Sequence, residues 1–85
     1  MSDLTTLKNI GAEMSRKLQS VDINSAEELI SIGSKEAYFR LKTKYPEICL
    51  VFLYVLQGAI DNIDYNRLSE EVKADLKEFN MQFKK

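Results

Sequence analysis

The chain contains 85 residues, of which 45% are hydrophobic and 29% charged, a size and composition that predict one small globular domain. Twelve Lys and Arg against thirteen Asp and Glu leave a net charge of −1, whereas a dedicated nucleic-acid binder carries an excess of cations that displaces counterions from phosphates. The absence of histidine and the single cysteine argue against zinc-dependent and nucleophilic catalysis, so we expect no enzyme activity, no metal and no cofactor.

The first predicted helix runs from about Gly11 to Ser20. Met14 and Leu18 lie four residues apart on one face of it, which is the spacing of a helix that buries one side. Residues 21–24 (Val-Asp-Ile-Asn) then break the helix, and we expect their two branched apolar side chains to enter the core. The residues before this helix lack the basic-then-apolar pattern of a signal peptide, so we expect a cytoplasmic protein.

A second helix is predicted to begin after Ser25 and to end at Gly33. Ser25 and Glu28 form the capping-box pattern, in which the serine hydroxyl accepts a hydrogen bond from a helical amide and the glutamate side chain accepts one from a backbone amide at the start of the helix. We expect this helix to bury Leu29 and Ile30. It should stop at Gly33, because glycine tolerates the left-handed conformation that follows many helices.

A third helix is predicted from a cap at Ser34 to about Tyr45. Its inner stripe is apolar and aromatic and consists of Ala37, Tyr38, Leu41 and Tyr45. Its outer face carries four cations, which are Lys35, Arg40, Lys42 and Lys44.

Pro46 marks the predicted start of the fourth helix, because the missing N–H of proline costs nothing at the first helical position. Residues 47–60 are apolar on nearly all sides, which predicts the buried centre of the domain. The run is far shorter than the ~20 residues of a membrane helix, so we expect no membrane contact. Within it, we expect Cys49 to be a buried, inert thiol. Gly58 is unfavourable in a helix and should permit another helix to approach closely.

The fifth predicted helix begins at Ser69. Its apolar stripe has spacings of three and four residues and consists of Leu68, Val72, Leu76, Phe79 and Phe83. Lys84 and Lys85 suit the negative carboxyl end of this helix. So small a domain needs the stripe for its own core, and we favour a monomer over a contact between two copies. No segment alternates polar and apolar residues, so the predicted fold is all-α, with five helices.

The turn of residues 8–11 is the first candidate site. In helix-hairpin-helix modules, a turn that contains glycine offers consecutive amides to a DNA phosphate. The candidate DNA-binding residues are Lys8, Asn9, Ile10 and Gly11 in the turn, with Arg16 and Lys17 as phosphate cations. Glu13 would oppose an anion there. The alternative is a structural turn, in which Gly11 caps the helix and Ile10 packs inward.

The four cations of the third helix form a second candidate surface, for a phosphate backbone or an acidic protein partner. The alternative is an ordinary solvated face. Residues 61–71 carry the opposite charge, with Asp61, Asp64, Glu70 and Glu71 against Arg67. The loop of residues 61–64 (Asp-Asn-Ile-Asp) lacks the alternating oxygens and central glycine of an EF-hand, so turn formation explains it better than cation binding.

In their order along the chain, these motifs resemble the TfoX C-terminal domain, a small all-helical family tied to bacterial regulators of natural competence. The resemblance extends from about Leu7 to Leu76. It is carried by residues 7–11 (Leu-Lys-Asn-Ile-Gly), 21–25 (Val-Asp-Ile-Asn-Ser), 28–29 (Glu-Leu), 53–60 (Leu-Tyr-Val-Leu-Gln-Gly-Ala-Ile) and 64–65 (Asp-Tyr), with Leu18, Gly33, Ala37 and Tyr38.

The resemblance implies that residues 1–85 form a single compact domain without enzymatic activity, related to helix-hairpin-helix and SAM-like, DNA-polymerase-type folds. Full-length regulators of this family pair it with a separate N-terminal domain and act on genes of DNA uptake. These 85 residues do not include that domain. Tyr65 also stands where the family favours tryptophan, and Ser69 stands where proline is common. We therefore expect a stand-alone interaction domain. Two functions stay open: weak DNA binding in transcriptional control of competence, or a protein–protein adaptor that does not touch nucleic acid.

Overall fold

Four α-helices and two 3-10 turns make up the part of the chain that the computed structural model describes, residues 3–82. The helices are α1 (Ala12–Gln19), α2 (Ala26–Lys44), α3 (Leu50–Asp61) and α4 (Glu70–Met81), and the 3-10 turns are Leu4–Thr6 and Tyr65–Arg67. These residues contain no strand, which confirms the all-α class, but the predicted count of five helices is wrong. Phe83, Lys84 and Lys85, predicted to extend the last helix, lie outside the described residues.

The helix count differs because the predicted second and third helices form one element, α2. Gly33 has φ 86° and ψ 163°, a conformation that essentially only glycine adopts. Helical backbone resumes directly after it, so the break is a kink without a loop. Ser34 does not cap a new helix. Its hydroxyl donates to Oε1 of Gln57 in α3 and ties the kink to that helix.

The start of α3 is a second correction. Pro46 lies in a turn, and α3 begins only at Leu50, with Cys49 as its N-cap residue. In the link between them, the side chain of Ile48 is buried and its amide donates to the carbonyl of Tyr45 at 3.1 Å. Burial of this large apolar side chain outweighs the weak preference of proline for a helix start.

Two predicted helix starts are confirmed by their capping bonds. The Glu28 amide donates to Oγ of Ser25 at 3.2 Å, and the Glu28 carboxylate accepts from the amide of Asn24 at 3.0 Å. At the start of α4, the Val72 amide donates to Oγ of Ser69 at 3.2 Å. These bonds satisfy groups that have no partner within the helix itself.

The core surrounds α3, which packs against α2, α4 and the second 3-10 turn, while α1 packs against α2 and the first turn. The predicted central position of α3 is therefore confirmed. Ile30 was expected to be buried, but half of its surface is exposed. Leu4, which no sequence motif singled out, is completely buried. The apolar side chains with no exposed surface are Leu4, Leu18, Leu29, Ala37, Tyr38, Leu41, Leu53 and Leu56.

Gly58 is the point at which three segments meet. A Cβ placed there would lie 2.6 Å from Nδ2 of Asn9, 2.8 Å from the carbonyl oxygen of Ile63 and 3.2 Å from Cα of Tyr65. The close neighbours are thus a side chain and a loop, and not the second helix that we predicted. The Gly58 carbonyl accepts from the Ile63 amide at 2.9 Å, which ends α3 together with the left-handed residue Asn62 (φ 58°).

We expect Gly58→Ala to lower the free energy of unfolding by about 1–3 kcal/mol, because the new methyl group must displace backbone atoms of the loop that follows α3. Gly11→Ala is the matched control, since no atom lies within 4 Å of a Cβ placed at that position. It should cost less than about 1 kcal/mol, as a change of N-cap residue. Urea denaturation measures both variants, and equal losses would contradict the role assigned to Gly58.

Candidate functional site

The turn that precedes α1 is built around Asn9. This residue has φ 73°, a left-handed conformation that asparagine tolerates, and its Nδ2 donates to the carbonyl of Ile63 at 3.0 Å. Ile10 is buried in the core. Of the four residues in this turn, only Lys8 and Gly11 are exposed. The side chains of Asn9 and Ile10 therefore serve the fold, and a ligand at this turn would contact backbone groups and Lys8.

The amino end of α1 begins at Gly11, as the structural interpretation of the turn predicted. Gly11 is the N-cap residue, and no side chain accepts a hydrogen bond from the first amides of the helix. Such amides carry partial positive charge and attract anions. Glu13 lies in the same first turn, so its carboxylate competes with any anion that approaches.

Lys8 and Arg67 line one shallow depression, together with Asn62, Ile63 and Asp64. Within residues 3–82, neither cation forms an ion pair or a side-chain hydrogen bond. Sequence reasoning missed Arg67, because it counted this residue with the acidic flank. No local pattern indicates that Arg67 lies beside Lys8, because the two segments are joined by the long-range bond between Asn9 and Ile63.

Arg16 and Lys17 lie in the last turn of α1, away from its amino end. Arg16 is exposed and has no ion-pair or side-chain hydrogen-bond partner in the described part of the chain. Nζ of Lys17 lies 5.0 Å from the ring centroid of Tyr45, which is a cation–π contact. The structure therefore leaves Arg16 free for a ligand, whereas Lys17 already covers Tyr45.

Two of the four cations on α2 form ion pairs. Nζ of Lys35 lies 2.8 Å from Oδ2 of Asp75 in α4. Nε of Arg40 donates to Oε2 of Glu36 at 3.2 Å, and its Nη1 donates to the carbonyl of Val21 at 3.4 Å. Exposed pairs of this kind contribute only about 0–1 kcal/mol each, but they engage both cations.

The other two cations of α2 donate to backbone carbonyls. Nζ of Lys42 donates to the carbonyls of Pro46 at 2.8 Å and Ile48 at 2.7 Å. Nζ of Lys44 donates to the carbonyl of Ser20 at 3.3 Å. Each cation of the predicted interaction stripe thus has a partner in its own chain, and all four fasten α2 to other segments.

Part of the apolar surface remains exposed on α2 and α4. Phe39 shows about half of its surface and lines a depression with Ile32 and Phe79. We call these three residues the Phe39 patch. Lys35 and Glu36 complete its lining, so charges of both signs border it. The other large apolar side chains that are substantially exposed are Ile30, Val51 and Met81.

The loop after α3 forms turns, as predicted. Asp61 is the last residue of α3 and accepts from Nε2 of Gln57 in the same helix at 2.9 Å. In the loop itself, Asn62 supplies the left-handed residue, and Asp64 caps the following 3-10 turn. Among residues 3–82, no three Cys, Asp or Glu side chains are grouped in a way that could hold a metal ion. In the same part of the chain, no helix is both long enough and apolar enough to cross a membrane.

A larger cleft, of about 590 Å³, lies between the end of α2, the start of α3 and the end of α4. Its lining residues are Lys42, Ile48, Cys49, Leu50, Lys77, Asn80 and Met81. Cys49 is exposed here, so the prediction of a buried thiol is wrong. The reason is its position: Cys49 precedes α3 as the N-cap residue, and it does not face the core from within the helix.

Tyr38 and Asn80 join α2 to α4 beside this cleft. The buried Tyr38 hydroxyl donates to Oδ1 of Asn80, a side chain that is itself only 8% exposed. Burial raises the pKa of the Tyr38 phenol above its usual value, and the nearby Cys49 side chain raises this pKa further. The phenol therefore keeps its proton and remains a hydrogen-bond donor.

Comparison with known proteins places this architecture in a family. A family model described as the TfoX C-terminal domain matches residues 1–80. The triclinic crystal form of an uncharacterized Listeria monocytogenes protein is similar, with a TM-score of 0.92 and 34% identity over 95% of this chain and 92% of that one. The tetragonal crystal form of a Listeria monocytogenes protein of unknown function also has a TM-score of 0.92 and 34% sequence identity, over 96% of this chain and 100% of the other. No curated protein matches the chain.

We expect Tyr38→Phe to lower the free energy of unfolding by about 1–3 kcal/mol below pH 9, because Oδ1 of Asn80 loses its buried donor. The difference between the unmodified protein and this variant should shrink as the pH rises past about 10. There the unfolded phenol releases its proton before the folded one, whose pKa is raised, so the stability that the phenol contributes is lost. Urea denaturation from pH 8 to 11 measures this difference. A constant or growing difference would contradict the assignment.

Proposed function

The chain belongs to the TfoX C-terminal domain family, and on that basis we propose that it is a cytoplasmic, non-enzymatic interaction domain that binds DNA weakly. The contacts we propose are the amino end of α1 on one phosphate, and Lys8, Arg16 and Arg67 on the neighbouring phosphates. A role in transcriptional control of competence enters this proposal only from the known regulators of the family.

One observation carries the DNA proposal: Lys8 and Arg67 in one depression, and Arg16 in the last turn of α1, have no partner among residues 3–82, whereas the four cations of α2 do. A phosphate can displace water from a free cation without breaking an intramolecular bond. Lys8 and Arg67 line the same depression, and the uncapped start of α1 adds partial positive charge.

The same geometry limits the strength of binding. Glu13 lies in the first turn of α1 and Asp64 lines the depression beside Lys8, so two carboxylates repel the phosphate backbone. None of the proposed contacts reads a base edge, and binding should therefore not depend on DNA sequence. Neutralisation of three phosphates by Lys8, Arg16 and Arg67 corresponds to a slope of about −2.7 in the logarithm of the association constant against log salt, which is an affinity loss of about 40-fold between 50 and 200 mM.

We expect labelled duplex DNA, followed by fluorescence anisotropy at low salt, to bind with a micromolar Kd. Lys8→Glu should weaken this binding about tenfold and reduce the salt slope by about 1. Lys77→Glu is the matched control, because it makes the same charge change at another cation without a partner, in the separate cleft of Cys49.

Two outcomes would overturn the DNA proposal. One is the absence of binding by the unmodified protein at low salt. The other is an equal loss in Lys8→Glu and Lys77→Glu, since this would mean that only the net charge of the chain matters and not the position of the cation.

The Phe39 patch supports a second candidate function, a protein–protein adaptor that does not contact nucleic acid. Ile32, Phe39 and Phe79 offer an apolar surface between charges of opposite sign, an arrangement typical of a protein contact with a polar rim. The cations of the predicted stripe contribute less to such a contact than the aromatic rings do, because ion pairs and carbonyl bonds already engage them.

We expect the isolated chain to sediment as a monomer of 9.8 kDa, because three side chains expose far less area than the roughly 800 Å² per partner of a stable interface. In a monomer, the exposed half of Phe39 would be accessible to a different protein. Sedimentation equilibrium over a wide concentration range measures the mass. A dimer that dissociates in Phe39→Ser, but not in a Val51→Ser control on α3, would show that a second copy occupies the patch.

A further inference from the structure

The cleft of Cys49 has an electropositive side that the proposed function does not use. The amino end of α3 opens into it, since Cys49 and Leu50 belong to its lining. No side chain caps this end, and its first turn contains no acidic residue. In this it differs from the start of α1, where Glu13 competes for the amides. The helix dipole therefore favours negative charge in the cleft without internal opposition.

Two lysines line the same cleft, and neither is neutralised. Lys42 directs two of its three ammonium donors to the carbonyls of Pro46 and Ile48, which hold the charge in place and leave one donor for a ligand. Lys77 has no ion-pair or side-chain hydrogen-bond partner among residues 3–82. The lining contains no Asp or Glu.

Asn80 supplies an independent sign of a ligand. Its side chain is more than nine-tenths buried and lines the cleft. The Tyr38 hydroxyl, which burial keeps protonated, must donate, so Oδ1 of Asn80 accepts and Nδ2 is the remaining end of the amide. Nδ2 has no acceptor among the described residues. Every fully buried side-chain nitrogen in this part of the chain has a hydrogen-bond partner, so Nδ2 is not fully buried. This NH₂ group is therefore open to the cleft.

We propose that this cleft binds a small organic anion, a carboxylate that carries a short apolar chain. Lys42, Nδ2 of Asn80 and the amino end of α3 would receive the carboxylate, and Lys77 would add charge at the entrance. The apolar chain would pack on Ile48, Leu50 and Met81. A volume of about 590 Å³ lies within the ordinary range of small-molecule sites.

Octanoate is the probe, and octan-1-ol is its neutral partner of the same chain length. We expect octanoate, titrated into isotopically labelled protein, to shift the amide resonances of the cleft residues with a millimolar or lower Kd. Octan-1-ol should bind at least about tenfold more weakly, because it lacks the charge that the lysines and the helix dipole recognise.

Charge reversal tests the assignment without touching the core. Lys77→Glu should weaken octanoate about three- to tenfold, as expected for reversing an exposed charge. Arg16→Glu is the matched control, since it changes the charge equally at an exposed cation outside the cleft. It should leave the octanoate Kd within about twofold of the unmodified protein.

A third variant tests the buried amide. Asn80→Asp keeps an acceptor for Tyr38 but replaces the NH₂ donor by a carboxylate oxygen. It should abolish octanoate binding, while circular dichroism confirms that the helices remain folded.

The single cysteine provides a second readout that needs no ligand affinity. Iodoacetate is an anion and iodoacetamide is neutral. The alkylation rate of Cys49 with iodoacetate, divided by its rate with iodoacetamide, therefore rises with the local positive potential. We expect this ratio to exceed that of a short unstructured peptide around Cys49 by at least about threefold, and to fall in Lys77→Glu. Octanoate should slow both reactions.

Three outcomes would overturn the proposal. The first is equal binding of octan-1-ol and octanoate, which would reveal an apolar groove without anion recognition. The second is an alkylation ratio equal to that of the peptide. The third is an octanoate Kd that Lys77→Glu and Arg16→Glu change equally. The DNA proposal is independent of all three, because it rests on Lys8, Arg16 and Arg67.

Discussion

The missing side chain at Gly58 lets Nδ2 of Asn9 and the carbonyl of Ile63 come to 2.6 and 2.8 Å from the place where a Cβ would stand. These two groups are bonded to each other, so the turn before α1 and the loop after α3 are held together on the surface of α3. The contact joins residues 54 positions apart in the chain. Lys8 and Arg67 line one depression as a result, and the geometry of the candidate DNA site depends on this junction.

Some cations of this molecule are held by backbone carbonyl groups, and others have no partner. Lys42 and Lys44 bind carbonyls near the carboxyl end of α2 and in adjacent segments, where cations are also favoured by the helix dipole. Lys8, Arg16, Arg67 and Lys77 have no such partners in the described residues. Local binding capacity therefore depends on which cations are free, and not on the net charge of −1 alone.

Sequence patterns were reliable where a local bond decides the structure. The caps at Ser25 and Ser69 and the unusual φ of Gly33 follow from the residue types at these positions and their neighbours. Predictions were wrong where long-range packing competes with local preference. α3 begins at Leu50 and not at Pro46, because the link between them must bury the side chain of Ile48. Ile30 remains half exposed, although it stands beside the buried Leu29. A helical pattern shows that one face of a helix is buried. Which residues at the border of that face are buried depends on the width of the surface that packs against it.

The sequence by itself determined the all-α class, the helix starts after Gly11, Ser25 and Ser69, and the family, because these depend on short-range periodicity, capping and motif order. Only the tertiary structure decided that helical backbone resumes directly after the kink at Gly33, and that Arg67 and Lys8 line one depression. It also placed Cys49 in an exposed cleft with Lys42 and Asn80. These features arise where segments distant in sequence meet. Their positions follow from the packing of α2, α3 and α4 around one core, which no local pattern encodes.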